Sequence, residues 1–298
     1  MEMLNLLASI SRFHIVAIAT LGTFTFGWLF TGEYPWLLAG ICALDWFIVN
    51  LLNRVVDLAE DKANRITGVA FVDKHRGAVI VVGFGLLIGT LVAGAFLVPA
   101  ITGLRLGFHA LGLAYNWAIL PGRRRIKQLY FFKNTASAVG FIITVFLYPL
   151  AGHGWGADPS QLAPGITPAA IWMTGVFFIL FELSYEVIYD LRDAEGDRLA
   201  NVRTYPVVHG LDGAMRIADT LIAVSAASLI LGFATGLVPW RIFVMVLAPG
   251  LNLFFYKRAM KRGITSSDCI RLTWVGVALL VCYHLWVISG LPGMGGAS

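Results

Sequence analysis

Charge is scarce in this chain: Asp, Glu, Lys and Arg together supply only 13% of its 298 residues, whereas 58% are hydrophobic. With a mean hydropathy of +0.78, that balance excludes an ordinary soluble domain and leaves an integral membrane protein. Cysteine is almost missing. Cys42, Cys269 and Cys282 stand alone, in or beside apolar runs, which excludes a disulfide framework or a zinc spacing and leaves them to packing. The histidines, His14, His75, His109, His153, His209 and His284, likewise form no metal-ligand spacing and are assigned no chemistry. No small-residue cleavage site accompanies the first apolar run, so that run is expected to be a retained span.

What is abundant is apolar sequence. Runs of about 17 to 25 residues, the length a bilayer demands, fall at 13–31, 36–52, 78–98, 101–121, 133–151, 168–189, 213–236, 239–256 and 270–290. The 78–98 run holds no charge, while 101–121 is interrupted by Arg105 and His109. Nine helices would place the segments after the second, fourth, sixth and eighth on the same face as the N-terminus, and 20 of the 22 Lys and Arg residues fall there. Only Arg105 and Arg241 lie elsewhere. By the positive-inside rule the basic face is cytoplasmic, the N-terminus is inside and the C-terminus outside, in the inner membrane if the cell is bacterial. The same bias accounts for the net charge of +5, so the expected partner is the lipid bilayer and not nucleic acid.

The expected fold is all-α, a single domain over 1–298 formed by nine transmembrane helices. An echo along the chain groups them. An acidic cluster follows helix two and another ends helix six, with Asp57 and Asp193 separated by 136 residues; basic clusters follow helices four and eight, with Arg123 and Lys257 separated by 134. Two four-helix units plus one helix would face the acidic clusters across a central cavity. The loop AGHGWGADPSQLAPGITP, uncharged but for Asp158, is expected to be an irregular outer connection without chemistry.

The acidic clusters carry the chemical signal. NRVVDLAED places Asn53, Asp57 and Asp61 at i, i+4 and i+8, a spacing that drifts only about 40° per step around a helix. Asp190, Asp193 and Asp197 follow at i, i+3 and i+7, with Glu186 and Glu182 continuing the stripe deeper. Each carboxylate in a span costs about 2.5–3.5 kcal/mol, and like charges about 5 Å apart repel by roughly 3 kcal/mol at an effective dielectric of 20. Five on one stripe therefore argue for a bound cation over solvated helix ends. Hard oxygen ligands in this arrangement suit Mg²⁺, which binds a few carboxylates together with substrate phosphates.

Asn53-x3-Asp57-x3-Asp61 after helix two, YNWAILPGRRRIK after helix four and Asp193-x3-Asp197 inside YDLRDAEGDRLANVRTYPVVHG together resemble the UbiA superfamily of intramembrane aromatic prenyltransferases, over essentially the whole chain. The resemblance implies a helical bundle around a lipid-accessible cavity, capped by polar loops, in which two Mg²⁺ ions bridge the aspartate motifs to the diphosphate of an isoprenyl donor. By position, Asn53, Asp57, Asp193 and Asp197 are the implied metal ligands, with Asp61 and Asp190 secondary. Glu186 matches a position near the acceptor, where it would orient that molecule or accept its proton. Arg123, Lys127 and Lys133 match the basic segment that contacts diphosphate oxygens, and Arg198 is a further candidate contact; the rival reading makes these cations topology signals only. Many members read Asn-Asp at the start of the first motif, whereas Arg54 follows Asn53 here. The Pro-rich run usual after that motif is replaced by KANRITGVAFVD, and Asn201 stands where Gly is usual in EGDRLANVRTYP. The first two departures argue against haem O synthase.

Physical chemistry points the same way. An allylic diphosphate leaves as an anion only when metal ions and basic side chains neutralise it. The remaining carbocation needs a dry site with electron-rich walls, which Trp46, Tyr185 and Tyr189 could supply through cation–π attraction. The expected activity is Mg²⁺-dependent transfer of a polyprenyl group to a hydrophobic acceptor, an aromatic quinone precursor foremost. A terpene cyclase would use the same diphosphate site. A transporter is the third reading, against which stand a parallel repeat and charges clustered at one membrane face. Asp45, two turns before Asn53 on the same helical face, either serves function or pairs with a polar neighbour.

Overall fold

The computed structural model describes residue 6 and residues 8–63, 67–156, 159–199 and 202–290; Asp158 and Asn201 lie outside the described residues. The helices are α1 (Phe13–Thr31), α2 (Trp36–Val56), α3 (Leu58–Ala63), α4 (Val69–Lys74), α5 (Arg76–Leu97), α6 (Thr102–Asn116), α7 (Phe132–Gly152), α8 (Pro168–Leu199), α9 (Tyr205–Ala234), α10 (Trp240–Met260) and α11 (Ser266–Ile288). Among the described residues, eight are long and apolar enough to cross a bilayer. The expected span over 101–121 is the shorter α6, 15 residues long, or about 22 Å. It stops at Asn116 because Trp117 takes an extended conformation, with φ −105° and ψ 145°, four residues before Pro121.

Burial explains why some helices read as uniformly apolar. α5 is peripheral, and Val81, Ile88 and Phe96 are exposed on it, as expected of side chains that meet lipid. The core lies between α1, α2 and α7, where Phe26, Phe30, Trp46, Phe141 and Phe146 are buried together. Inside α7 the chain relaxes into π-helix over Ile142–Leu147, a local widening that often marks a functional region. There the Thr144 hydroxyl accepts from Trp46 Nε1 at 3.0 Å, and the Thr144 carbonyl accepts from the Thr23 hydroxyl at 3.1 Å. One residue thus ties all three core helices.

Asp45 is answered by its neighbours. It is fully buried and accepts from Arg105 Nε at 3.0 Å and Nη2 at 2.5 Å, from the Tyr148 hydroxyl at 2.9 Å, and it meets His109 Nε2 at 3.0 Å. Arg105 also donates to the Thr90 carbonyl at 2.5 Å. Gly94 on α5 makes room, since a β-carbon there would run into the guanidinium. The network satisfies every charge it buries, as low-dielectric surroundings require, and Asp45 is absent from the central cavity's lining. Of the two readings of Asp45, polar pairing is the one the fold displays.

α8 runs for 32 residues, about 48 Å against a hydrocarbon thickness of about 30 Å. The expected span ended at 189, but DLRDAEGDRL contains no proline and is rich in good helix formers, so the helix continues to Leu199. As a result Glu182, Glu186, Asp190, Asp193 and Asp197 share one unbroken helix, within about 80° of arc. α9 is interrupted at Gly210, whose φ of 73° and ψ of 169° separate a first turn from the long apolar part expected over 213–236.

Candidate active site

A cavity of about 1200 Å³ occupies the centre of the bundle, lined from α1, α2, α6, α7, α8, α10 and α11. Ordinary single-ligand pockets hold about 300–1,000 Å³, so this one lies above that range. Asn53, Asp57 and Asp61 line it together with Asp190, Asp193 and Asp197, so both acidic clusters open onto one space. Deeper along the helices the lining turns to Phe26, Phe141, Phe177, Phe178 and Phe181.

The first cluster straddles a break. α2 ends at Val56, and Asp57 has φ −92° and ψ 18°. Its N–H still reaches the Asn53 carbonyl at 3.0 Å, and the Asp61 N–H reaches the Asp57 carbonyl at 2.8 Å. Helical register therefore survives, and all three side chains stay on the cavity side. Asp57 Oδ1 accepts from Lys127 Nζ at 2.6 Å and Arg125 Nη1 at 3.1 Å. The Asn53 amide, oriented by its hydrogen-bonding neighbours, donates to Asp57 Oδ2 at 2.7 Å and to Asn116, and accepts from Arg12 Nη2 at 2.8 Å. Asp61 accepts from Arg54 Nη1 at 2.9 Å, while Arg54 Nη2 donates to the Ser9 carbonyl at 2.9 Å.

The second cluster is met by α7. Lys133 in its first turn places Nζ 2.7 Å from Asp190 Oδ1 and 3.2 Å from Asp197 Oδ2, and Asn134 donates to Asp190 Oδ2 at 2.9 Å. Arg192 donates to its neighbour Asp193 through Nε at 2.7 Å and through Nη2. Glu186 Oε1, one turn deeper than Asp190, accepts from the Ser137 hydroxyl at 2.7 Å. Tyr185 and Tyr189 are pinned to α11: the first donates to the Leu272 carbonyl at 3.3 Å, and the second to the Cys269 carbonyl at 3.1 Å, with Thr273 Oγ1 at 2.8 Å. Their rings stand as fixed panels of the cavity wall, along with Trp46.

Lys127 and Lys133 thus reach the clusters, whereas Arg123 and Arg198 are exposed and absent from the cavity lining. Within GRRRIK it is Arg125 that turns inward; Arg123 sits in a tight turn with φ 55°. Sequence reasoning passed over Arg125, Asn134, Ser137 and Arg192. Ser137 could have been found, since it lies four residues after Lys133 and so on the same helical face. Among the described residues no three His, Cys, Asp or Glu side chains converge as a ready cage for a metal. The oxygen donors are nevertheless the hard kind that Mg²⁺ takes a few at a time, substrate phosphates completing its shell.

The sequence matches the model of the UbiA prenyltransferase family over residues 14–280. The chain belongs to that family. Among its UbiA relatives is the digeranylgeranylglyceryl phosphate synthase of Methanopyrus kandleri, 37% identical over 120 residues, a match spanning 39% of this chain and 44% of that protein. The fold is shared with a UbiA homologue from Archaeoglobus fulgidus bound to DMAPP and Mg²⁺, at a TM-score of 0.69 and 15% identity, covering 96% of this chain and 99% of that one. It is also shared with a structure of digeranylgeranylglyceryl phosphate synthase, at a TM-score of 0.59 and 15% identity over 96% of each chain. At such identities the likeness is one of UbiA architecture.

Proposed function

We propose that this UbiA-family protein transfers a polyprenyl group from its diphosphate to a lipid-soluble acceptor, with Mg²⁺, at a site opening to the cytoplasmic face. The observation that carries the proposal is a cavity of about 1200 Å³ with two aspartate clusters, the buried Lys127 and the part-buried Lys133 at one end and an aromatic, apolar lining beyond. A diphosphate and an isoprenyl tail demand those two environments in that order. Asp57, Asp190, Asp193 and Asp197 are the residues that would hold the metal, whose chemistry there is to neutralise the departing diphosphate.

The chain's own residues do the rest. Lys127 and Lys133, hydrogen-bonded to those carboxylates, are placed to turn onto diphosphate oxygens. The bond between donor C1 and its oxygen breaks, the diphosphate leaving with the electron pair. Tyr185, Tyr189 and Trp46 present ring faces to the allylic cation. A new bond forms from C1 to the acceptor, whose proton passes to Glu186.

The acceptor reading is an aromatic quinone precursor. A second reading, an isoprenylglyceryl phosphate, draws on Arg12, His14 and Arg192 in the cavity lining, which could receive a second phosphate, and on the synthase among the relatives. Purified protein in nanodiscs, given geranylgeranyl diphosphate and Mg²⁺ with 4-hydroxybenzoate, with geranylgeranylglyceryl phosphate or with no acceptor, tests all of this through pyrophosphate release. Acceptor-dependent release supports transfer and names the acceptor class. Release without acceptor makes the protein a cyclase, and no release in any arm sinks the proposal.

A further inference from the structure

Glu182 lines the cavity from the same face of α8 as Glu186, yet no side chain among the described residues answers it. It lies one turn beyond Glu186, about 6 Å along the helix, and about 12 Å beyond Asp190. The wall around it is apolar: Phe178, Phe181 and Tyr185 flank it on α8, and Phe141 lines the cavity one turn beyond Ser137 on α7. The basic residues of the lining, Arg12, His14, Arg54, Lys127, Lys133 and Arg192, come instead from the acidic end. Among the described residues Glu182 has no hydrogen bond and no ion pair, and the titratable group that acts on it is another carboxyl, Glu186.

An ionisable group inside a membrane span is costly unless something pairs with it. The donor cannot be that partner, because its diphosphate belongs at the acidic end and its tail is hydrocarbon, with no N–H or O–H to donate. Asn50 shows a similar unmet demand from another wall. On α2, about one turn beyond Asn53, it lines the cavity at 5% exposure, and its Nδ2 has no acceptor among the described residues. What fits is a second substrate that carries polar atoms into the apolar part of the cavity. A carboxylate or phosphate next to Glu182 would be repelled, so an anionic end must lie toward Arg12, His14 and Arg192. A neutral hydroxyl can donate to a carboxylate oxygen, and hydrogen bonds to ionised groups are the stronger kind.

Resting on the prenyl-transfer reading above, we propose that Glu182 binds a hydroxyl of the acceptor that is not itself prenylated, and so selects a phenol over a glyceryl phosphate, whose free hydroxyl is the one that reacts. The test is initial-rate kinetics on the full-length protein in nanodiscs with geranylgeranyl diphosphate and Mg²⁺. The acceptors are 4-hydroxybenzoate, 1,4-dihydroxy-2-naphthoate and geranylgeranylglyceryl phosphate, with the O-methyl ethers of the two phenols as competitors. For the phenol that is turned over, Glu182→Leu should raise the acceptor KM about tenfold or more, the scale of a lost hydrogen bond to a charged group, with donor Kd within about threefold of wild type. Glu182→Gln, whose carbonyl still accepts, should bring that KM back to within about threefold of wild type. The methyl ether, which has no hydroxyl to donate, should compete equally well against wild type and Glu182→Leu. Because Glu182→Leu removes an unpaired carboxyl from apolar surroundings, its Tm should equal or exceed that of the wild type; a lower Tm would give Glu182 a structural partner and overturn the inference. An unchanged phenol KM in Glu182→Leu, or equal losses for phenol and ether, also overturns it. Turnover of the glyceryl phosphate alone overturns it while leaving prenyl transfer standing, whereas no transfer to any acceptor overturns that reading and this inference with it.

Discussion

Replacing Glu186 by Gln separates donor binding from transfer. Glu186 lies about 6 Å along α8 from Asp190, on the side away from the acidic mouth, and its recorded hydrogen bond is the 2.7 Å contact from the Ser137 hydroxyl. A Gln carbonyl accepts the same bond in nearly the same volume, so the wall keeps its shape. In the proposed mechanism, what disappears is the carboxylate that would face the allylic cation and take the acceptor's proton. The contacts of Lys133 and Asn134 to Asp190 are untouched, so donor affinity should stay within about threefold, a change of roughly 0.65 kcal/mol. Transfer should slow by about 10²-fold or more, the lower end for a general acid–base group and about 2.7 kcal/mol of barrier. Ser137→Ala, which frees the carboxylate without removing it, should slow transfer by about 10-fold, or ~1.4 kcal/mol, the scale of one hydrogen bond to a charged group. Calorimetry gives donor affinity, and rapid-quench single turnover with donor pre-bound gives the chemical step. Lost donor binding with an unchanged chemical step would move Glu186 into the diphosphate site. No effect on either would return it to polar packing.

Asp57→Ala and Asp193→Ala should each abolish turnover while the protein still inserts and purifies as a folded species; more than about a tenth of wild-type activity in both, a barrier change under roughly 1.4 kcal/mol, would disprove the metal assignment. Activity should vanish in excess EDTA and return with Mg²⁺, and full activity in the chelator rules out a divalent requirement. Asp45→Asn leaves Arg105 buried beside a neutral amide and should cost about 3–5 kcal/mol of stability, the usual penalty for breaking a buried pair, read as a lower Tm in detergent. An unchanged Tm would mean the Asp45 network does not hold α2, α5 and α6 together.

The apolar runs were legible because a backbone in lipid must satisfy its polar groups internally, so a sufficiently long apolar run has few alternatives to a helix. The acidic clusters were legible too, because residues three and four apart share a helical face whatever surrounds the helix. Both are properties of one segment considered alone. Which cation meets which carboxylate is not such a property. Arg123 and Arg125 are two residues apart and chemically identical, yet the turn at Arg123 leaves one exposed and brings the other to Asp57. Asp45 finds Arg105 and Tyr148, 60 and 103 residues away, where hydropathy had marked Arg105 only as a flaw in a span. The Arg54–Asp61 pair was within reach of sequence, being seven residues apart, but the chain leaves α2 between them, and only the packed structure shows the two side chains meeting. Periodicity along a helix is written locally; the partner that neutralises a buried charge is chosen by how helices distant in sequence come together, because each ion pair requires its two groups within about 3 Å in a particular orientation.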